Sequence, residues 1–455
     1  MKRQISIGLV IFVMLVVTPS LALGAQFNEA GLMSSAFTPS AANAPWFINE
    51  VDTLGGAGQF PSLAIDPQTS RIYVSYYDPG PGDLRMARYV RTGGNCGPNN
   101  SWSCQTVDSE GDVGKYSSIA AYGGLVMIAY HDASSGDLKF ASSSNSIGWL
   151  ITTIDKEISP NSTGLFTSMI FVWPNVALIS YFSNESGVDE LKMASFVLYG
   201  GGNCGYGVDA GHWQCDTIQT GDGVGQYSSL ALDGNGDTHI AYYDAVEGDL
   251  WYATSTSGIN CVPGGNTWLC YPVTGLTTDA GKYASMYVDD GGHYHIAYYD
   301  ATNDTLNYAV DVGSGGNCGV LGSAQCDEID SMQADYHPLG ISIAEDAAGY
   351  PIIAYQSYNG SLNVARPVAA LGLSGGGGNC GPVINLFYTW YCETIDRSGT
   401  WITYRNADYV SIAVAPSGLA TIAYYGFVTS TGGNMYVATQ RLPLQVFLPL
   451  TVKDG

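Results

Sequence analysis

The amino-acid sequence predicts an all-β protein, a seven-bladed β-propeller of four-stranded blades whose ring is closed by an N-terminal strand. The main observation is a strand motif, HIAYYD at residues 239–244, which recurs at residues 295–300 and in five variant copies. The repeat period is roughly 50–70 residues, which is typical of propeller blades. The 58 Gly and 32 Tyr, with only 12% charged residues, suit short strands joined by tight turns.

Each copy of the repeat predicts four strands, A to D. The B strands read RIYVSYYD (71–78), LVMIAYHD (125–132), VALISYFS (176–183), THIAYYD (238–244), YHIAYYD (294–300), PIIAYQS (351–357) and ATIAYYG (420–426). The preceding A strands each open on an aromatic residue: Phe60, Tyr116, Phe166, Tyr227, Tyr283, Tyr336 and Tyr409. The B strands carry apolar residues on both faces, so we expect them to be buried between neighbouring blades.

The ends of the repeat predict how the ring closes. The last copy ends at residues 434–440 without a fourth strand, whereas WFINEVDT (46–53) resembles the D strand WSCQTVDS (102–109). We therefore expect the N-terminal segment to complete the last blade. The propeller then spans residues 46–440, with a flexible lead-in at 25–45 and an apolar C-terminal tail at 441–455.

The N-terminus predicts export. Lys2 and Arg3 precede the apolar run at residues 5–17, and small residues follow, which indicates a signal peptide over residues 1–24. An uncleaved membrane anchor is the alternative. We expect no membrane span once the signal is removed.

The ten cysteines agree with export, because they fall into five close pairs that suit the disulfides of an oxidising compartment. Zinc would require C-x-x-C spacing with histidine partners. The predicted disulfides join Cys96 with Cys104, Cys204 with Cys215, Cys261 with Cys270, Cys318 with Cys326, and Cys380 with Cys392. We expect each one to bridge strands C and D of a single blade.

Charge limits the partners. The formal net charge of −24 disfavours nucleic acid and anionic lipid. We expect no cofactor. Alternating oxygen-bearing side chains at residues 233–237 suggest Ca²⁺, but the later glutamate of a calcium loop is missing, so a plain turn is the favoured interpretation.

The candidate ligand-binding residues lie on the face where the A strands begin, called here the top face. Strand B returns to this face, so the opening aromatics and the Tyr-Tyr-Asp ends of the B strands meet there. Blades 1, 2, 4 and 5 keep both ring and acid: Phe60, Tyr77 and Asp78; Tyr116, His131 and Asp132; Tyr227, Tyr243 and Asp244; Tyr283, Tyr299 and Asp300. Two interpretations remain open, namely turn capping with blade packing, and sugar binding by aromatic faces and carboxylates.

In the form of its repeat, the chain resembles secreted bacterial repeat propellers, the group that includes sialidase-like (BNR-type) propellers and propeller lectins. A sialidase would imply S-x-D-x-G-x-x-W boxes and three arginines on a substrate carboxylate. The most box-like stretch here, residues 229–239, lacks the Trp, and arginines are few. We therefore expect a secreted or cell-surface binding module for glycans or cell-surface proteins. The alternatives are a structural or interaction protein without a small ligand, and a polysaccharide-active enzyme, either a glycosidase or a lyase. A lyase would use His131 with Tyr130 and Lys115 for general acid–base chemistry.

Overall fold

The computed structural model describes residues 44–441, with gaps at 145–147, 157–160, 173–175, 186, 257, 259, 262–266, 276–278, 333–339, 358, 373–376, 382–386, 397–406 and 429–431. The predicted signal peptide, nearly all of the lead-in and the tail beyond residue 441 lie outside the described residues. The described part contains β-strands and four short 3-10 turns, and none of its helices is long and apolar enough to cross a membrane.

The strands form seven antiparallel four-stranded sheets, each ordered A-B-C-D, which confirms the predicted fold class. The A strands are β2 (Gln59–Ile65), β6 (Val113–Tyr122), β10 (Ser162–Val172), β14 (Gln226–Leu232), β18 (Ala280–Val288), β22 (Ile341–Glu345) and β26 (Ala407–Val414). The B strands are β3 (Ile72–Asp78), β7 (Leu125–Asp132), β11 (Val176–Glu185), β15 (Thr238–Asp244), β19 (Tyr294–Asp300), β23 (Pro351–Gln356) and β27 (Ala420–Val428). The C strands are β4 (Asp83–Tyr89), β8 (Asp137–Ser143), β12 (Val188–Phe196), β16 (Asp249–Thr254), β20 (Thr305–Asp311), β24 (Leu362–Pro367) and β28 (Gly432–Gln440). The D strands are β5 (Trp102–Asp108), β9 (Leu150–Asp155), β13 (Trp213–Thr220), β17 (Leu269–Pro272), β21 (Ala324–Ser331), β25 (Trp390–Asp396) and, in the last blade, β1 (Trp46–Asp52).

The ring is closed by β1, as the sequence predicts. This strand pairs with β28 in antiparallel register from Trp46↔Gln440 to Asp52↔Met435. Because the first strand of the chain is hydrogen-bonded to the last, each end of the propeller supplies part of one blade. The closure is non-covalent and uses the same ladder bonds as every other blade.

The core lies between the blades. The B strands β15 and β19 are buried at every residue, so both of their faces pack against neighbouring sheets. This burial explains why the B strands read as continuous apolar runs rather than alternating with polar residues.

A closed ring of serine hydrogen bonds joins the seven A strands around the axis. The serine two residues after each opening position accepts the backbone N–H of a buried residue in the next A strand, at 2.9–3.1 Å. These serines are Ser62, Ser118, Ser168, Ser229, Ser285, Ser342 and Ser411. The A strands are the inner edges of their sheets, and edge N–H groups would otherwise have no partner.

The five predicted disulfide pairs are confirmed, each within the connection between strands C and D. They join Cys96 with Cys104, Cys204 with Cys215, Cys261 with Cys270, Cys318 with Cys326, and Cys380 with Cys392.

The position of the first cysteine in each pair corrects one detail of the prediction. The second cysteines (Cys104, Cys215, Cys270, Cys326 and Cys392) lie in D strands, but the first cysteines (Cys96, Cys204, Cys261, Cys318 and Cys380) lie in the loop rather than in strand C. The asparagine before each loop cysteine explains the recurring N-C motif. Asn95, for example, donates to the Cys104 carbonyl at 2.9 Å and accepts its N–H at 2.8 Å. The disulfide and the asparagine hydrogen bonds therefore hold the loop against strand D, in the way that ladder hydrogen bonds would hold an additional strand.

Buried ion pairs connect three pairs of neighbouring blades. Tyr130 of β7 donates to Asp108 of the preceding blade at 2.7 Å, and Lys139 of β8 lies 2.6 Å from the same carboxylate. The same arrangement of tyrosine, aspartate and cation recurs as Tyr76, Asp52 and Arg85, and as Tyr181, Asp155 and Lys192. Blades 6 and 7 keep the tyrosine and the aspartate, with Tyr355 on Asp330 and Tyr424 on Asp396.

Blade 4 differs at both of its interfaces. The aspartate that would face Tyr242 is replaced by Gln219, as its pairing with Leu191 shows. The aspartate that would face Tyr298 is replaced by Thr274, whose N–H donates to the Leu250 carbonyl at 3.4 Å. The hydroxyl of Tyr242 and the Gln219 carbonyl oxygen are both buried and have no hydrogen-bond partner among the described residues. Blade 4 therefore lacks the buried tyrosine–aspartate contact at both of its interfaces and keeps the serine bonds to its neighbours.

Candidate functional site

The candidate site is a cavity of about 180 Å³ on the propeller axis. Its wall consists of the opening residue of each A strand and the residue after it: Phe60, Pro61, Tyr116, Ser117, Phe166, Thr167, Tyr227, Ser228, Tyr283, Ala284, Gly340, Ile341, Tyr409 and Val410. Because these residues open the A strands, the cavity lies on the top face.

One predicted position is corrected by the structure. The sequence placed Tyr336 at the opening of the sixth A strand, but the register of β22 with β23 assigns that position to Gly340. Tyr336 itself lies outside the described residues. A side chain at Gly340 would clash with its neighbour, because its Cβ would lie 2.2 Å from the Val410 nitrogen. Six aromatic side chains therefore surround the axis, and glycine takes the seventh position.

All six aromatic residues share an uncommon backbone conformation. Their φ angles lie between 50° and 57°, in the left-handed region that bulky residues rarely adopt. Bulges at the start of the A strands accompany this conformation, for instance between Gln59 and Ser62. The bulge turns each ring away from the blade and toward the axis. Left-handed geometry costs roughly 1–2 kcal/mol for a residue with a side chain, so the rest of the fold stabilises the ring of aromatics against this strain.

The six aromatic rings are in mutual contact. Neighbouring centroids lie 4.3–4.8 Å apart, from Tyr409 through Phe60 to Tyr283. The phenols of Tyr227 and Tyr283 share a hydrogen bond, and burial raises the pKa of both. Tyr227 and Tyr283 therefore remain protonated at physiological pH, and the described residues of the cavity wall carry no charge. The wall offers aromatic surface together with phenol donors and acceptors.

A second layer of side chains surrounds this ring, and it contains the other predicted aromatics. Tyr77 lies 6.3 Å from Phe60, and Tyr243 lies 6.2 Å from Tyr227. Tyr299 and His131 occupy the corresponding places in blades 5 and 2, and all four side chains are buried. They support the inner ring rather than line the cavity.

The four predicted aspartates cap turns. Asp78, Asp132, Asp244 and Asp300 are only 4–7% exposed. Each accepts the backbone N–H two residues on, at 2.9–3.2 Å, and the last three also accept the N–H three residues on. This geometry favours the turn-capping interpretation over ligand contact for the carboxylates.

His131 is also occupied by structural contacts. Its Nδ1 lies 2.9 Å from the Thr163 carbonyl, and burial lowers its pKa. Tyr130 donates to Asp108, so the His–Tyr–Lys combination weighed from the sequence does not form one reactive cluster. The Lys115 ammonium is hydrogen-bonded to Asp112 instead.

Two matching polar clusters lie beside the cavity. In cluster 1, the Tyr77 hydroxyl donates to Asp112 at 2.6 Å and the Lys115 ammonium donates to the same carboxylate at 2.6 Å. Cluster 2 repeats this with Tyr243 and Lys282 on Asp279, at 2.5 and 2.6 Å.

Both clusters keep a charged pair partly accessible to solvent. Burial opposes ionisation of Asp112, but hydrogen bonds from Lys115 and Tyr77 lower its pKa overall, and the pKa of Asp279 is lowered in the same way. The aspartates are 41% and 43% exposed and the lysines 29% each. Each cluster therefore presents an anionic acceptor and a cationic donor side by side, with no net charge.

The sequence contained signals for the residues that our predictions missed. The clusters come from the repeated segments DVGKY (112–116) and DAGKY (279–283). The glycine in each is required by close approach, since a Cβ on Gly114 or Gly281 would lie 2.7–2.8 Å from the Cα of a leucine in the preceding blade. Phe166 and Tyr409 line the cavity although their blades lack the acid, because the inner ring does not depend on the B-strand aspartate.

Within the described ranges, no group of three or more His, Cys, Asp or Glu side chains is arranged to hold a metal ion. The residues that suggested Ca²⁺ form a turn. Asp233 accepts the backbone N–H groups of Asn235 and Asp237 at 2.9 and 2.8 Å.

Comparison with known proteins finds no matching family model and no matching curated protein. Similar solved structures include a protein of unknown function from Dyadobacter fermentans, with 11% identity, a TM-score of 0.43, and coverage of 87% of this chain and 98% of that one. The polysaccharide lyase Uly1 has 11% identity, a TM-score of 0.45, and coverage of 87% and 99%. A mutant of the NanB sialidase from Streptococcus pneumoniae has 11% identity, a TM-score of 0.42, and coverage of 86% and 70%.

The chain is a seven-bladed β-propeller. Its blades confirm the repeat form on which the resemblance to sialidase-like and lectin-like propellers rested. Identities of 11% and TM-scores below 0.5 carry no inference about a ligand or an activity. The function therefore has to be argued from the site.

Proposed function

We propose that this protein is a secreted or cell-surface binding module that holds a glycan at the axial cavity of the top face. The single observation that carries the proposal is the ring of six half-buried aromatic side chains around that cavity. Sugar rings present apolar C–H faces that stack on aromatic rings, and their hydroxyls bond to polar groups at the edge.

The size and charge of the cavity support a saccharide. Its volume of about 180 Å³ is below the roughly 300–1,000 Å³ of pockets for drug-sized ligands, so it suits one sugar ring. Among the described residues, the wall contains phenols and the hydroxyl-bearing side chains of Ser117, Thr167 and Ser228, and none of its side chains is charged. The net charge of −24 also disfavours an anionic ligand.

Strain at repeated positions is a second support. Six bulky residues adopt positive φ at the opening of their A strands. The glycine at the seventh opening position shows that a blade can be built without an aromatic ring at this place. Strained backbone that is retained at one site often has a role in binding. The five disulfides agree with an oxidising compartment, which is where a secreted binding module acts.

The test removes one aromatic ring without disturbing the fold. Tyr227→Gly introduces the residue that the sixth blade already has at this position, and glycine relieves the positive φ. On a glycan array, we expect this variant to lose the binding shown by the parent protein while it remains folded at the assay temperature, with a melting temperature lowered by the loss of the ring contacts. Tyr199→Ala, a change at a 94% exposed residue between strands C and D, is the matched control and should bind normally.

Two results would contradict the proposal. One is a parent protein that binds no glycan on the array. The other is binding that survives in both Tyr227→Gly and Tyr116→Gly. The localisation is tested separately by N-terminal sequencing of the protein in the culture medium. We expect a mature protein that begins near residue 25, and a full-length cytoplasmic chain would contradict this expectation.

A further inference from the structure

The two polar clusters on the top face correspond closely in geometry. In addition to the matching hydrogen bonds, each lysine ammonium lies over the tyrosine ring of its cluster, at 5.3 Å for Lys115 and 5.5 Å for Lys282. The backbone N–H of each aspartate donates to a hydroxyl of the next turn, Ser134 in one case and Thr302 in the other, at 2.6 Å in both. The same small site is thus built twice.

Blade packing alone does not require this arrangement. At the junction of blades 3 and 4 the tyrosine and lysine positions hold Phe182 and Gln226. In blade 5, Tyr299 donates to Asp304 of its own turn instead. In blade 7, the Tyr425 hydroxyl accepts the N–H of Gly433. Several junctions in the described part of the chain therefore close without a lysine–aspartate pair, so blade closure does not explain the pairs in clusters 1 and 2.

The clusters lie on opposite sides of the cavity. Cluster 1 joins blades 1 and 2 and cluster 2 joins blades 4 and 5, so they are three blades apart in a ring of seven. Lys115 directly precedes Tyr116, and Lys282 directly precedes Tyr283, and both of these tyrosines line the cavity. The order across the top face is polar cluster, aromatic cavity, polar cluster.

We infer that the top face binds a neutral, linear oligosaccharide lying across the propeller axis, with one sugar on the aromatic ring and the flanking sugars hydrogen-bonded to clusters 1 and 2. This rests on the proposed glycan-binding function and specifies its substrate class. An adjacent carboxylate and ammonium match the donor and acceptor capacity of neighbouring sugar hydroxyls. Because each cluster has no net charge and the cavity is neutral, an acidic saccharide gains no counter-ion. A monosaccharide in the cavity would leave the clusters unused.

The experiment measures affinity by calorimetry for neutral hexasaccharides (cellohexaose, xylohexaose and mannohexaose), their monosaccharides, and hexagalacturonate as the acidic counterpart. We expect a neutral hexasaccharide to bind at least about ten-fold more tightly than its monosaccharide. Asp112→Asn with Lys115→Gln should weaken the hexasaccharide about ten-fold and leave the monosaccharide unchanged, since hydrogen bonds to charged groups are the stronger ones. Asp279→Asn with Lys282→Gln should do the same, and all four changes together should bring the hexasaccharide to the affinity of the monosaccharide.

Lys156→Gln, a change at an exposed lysine that lies over Tyr206 rather than beside the cavity, is the matched control and should not alter binding. Three results would overturn this inference and leave the proposed axial site standing. They are equal affinity for hexasaccharide and monosaccharide, tighter binding of hexagalacturonate, and hexasaccharide binding that is unchanged in the cluster variants. Absence of binding to every saccharide would overturn the proposed function as well. Melting temperatures of the variants, expected to stay near that of the parent, show that any loss is not a loss of fold.

Discussion

The serine ring around the axis makes a quantitative prediction about stability. Ser229 accepts the backbone N–H of Met286 at 2.9 Å, and Met286 is only 6% exposed. In Ser229→Ala the hydroxyl is lost, and the N–H of an inner edge strand is left buried without a partner. The variant tests whether these bonds contribute to holding the seven sheets together.

The expected cost follows from the asymmetry of hydrogen-bond energetics. A typical intramolecular bond contributes about 1 kcal/mol net, but a donor left buried and unpaired costs roughly 1–3 kcal/mol. We therefore expect Ser229→Ala to lower the free energy of unfolding by about 1–3 kcal/mol. Ser62 belongs to a separate bond elsewhere in the ring, to Ile119, so the losses in the double variant should add.

The assay is denaturant unfolding followed by tryptophan fluorescence, with disulfides intact. Ser314→Ala, at an exposed serine, is the control and should change stability by less than about 0.5 kcal/mol. A Ser229→Ala variant as stable as this control would refute the reasoning, because it would mean that water entering the axial cavity satisfies the N–H. Loss of additivity in the double variant would instead show that the ring acts as one cooperative unit.

Four further predictions follow from the blade contacts. Asp108→Asn leaves the buried ammonium of Lys139 without its main partner and should cost about 3 kcal/mol in unfolding free energy; adding Lys139→Met should recover much of that loss, and a double variant no better than the single would contradict the ion-pair account. A chain starting at residue 55 lacks β1 and should aggregate because the edge of β28 is exposed; size-exclusion chromatography showing a stable monomer would oppose this. Burial and the charge of Glu247 raise the pKa of Asp249 to about 6. Its contribution to stability is therefore fully present below the ordinary pKa of 3.8 and is lost as pH rises through 6. Asp249→Asn should be more stable than the parent at pH 7.5, by up to roughly 3 kcal/mol, and should show no such gain at about pH 4. Asp244→Ala should cost about 1 kcal/mol through its turn and leave saccharide affinity unchanged, whereas lost affinity at unchanged stability would make it a ligand contact.

The fold could be predicted from the sequence because its signals are local and repeated seven times. The strand patterns and turn residues each lie within one blade, and their repetition identifies the blade as the structural unit. The absence of a D-strand pattern in the last copy can be recognised in the same way, by comparison with the other copies. The disulfides could be predicted for the same reason, since each cysteine pair flanks a single loop. The ring closure by β1 followed from comparing residues 46–53 with another D strand rather than from any long-range signal.

The candidate site was only partly predictable. The opening aromatics Phe60 and Tyr116 were identified because they begin a strand, and they do line the cavity. The B-strand aspartates were equally prominent in sequence, but their oxygens are taken by backbone N–H groups of the same turn. Sequence position could not separate these two cases, because burial and hydrogen bonding decide between them.

The sequence by itself determined the number of blades, the strand order within each blade, the disulfide pairs and the face on which the A strands begin. Only the tertiary structure decided that Gly340 takes the seventh axial position, that Lys115 meets Asp112 beside Tyr77, and that the same cluster recurs across the axis. The physical reason is the range of the interactions. Strands, turns and loops depend on residues close in sequence, whereas the cavity and the clusters form between blades, where side chains from residues far apart in sequence meet only when the ring closes.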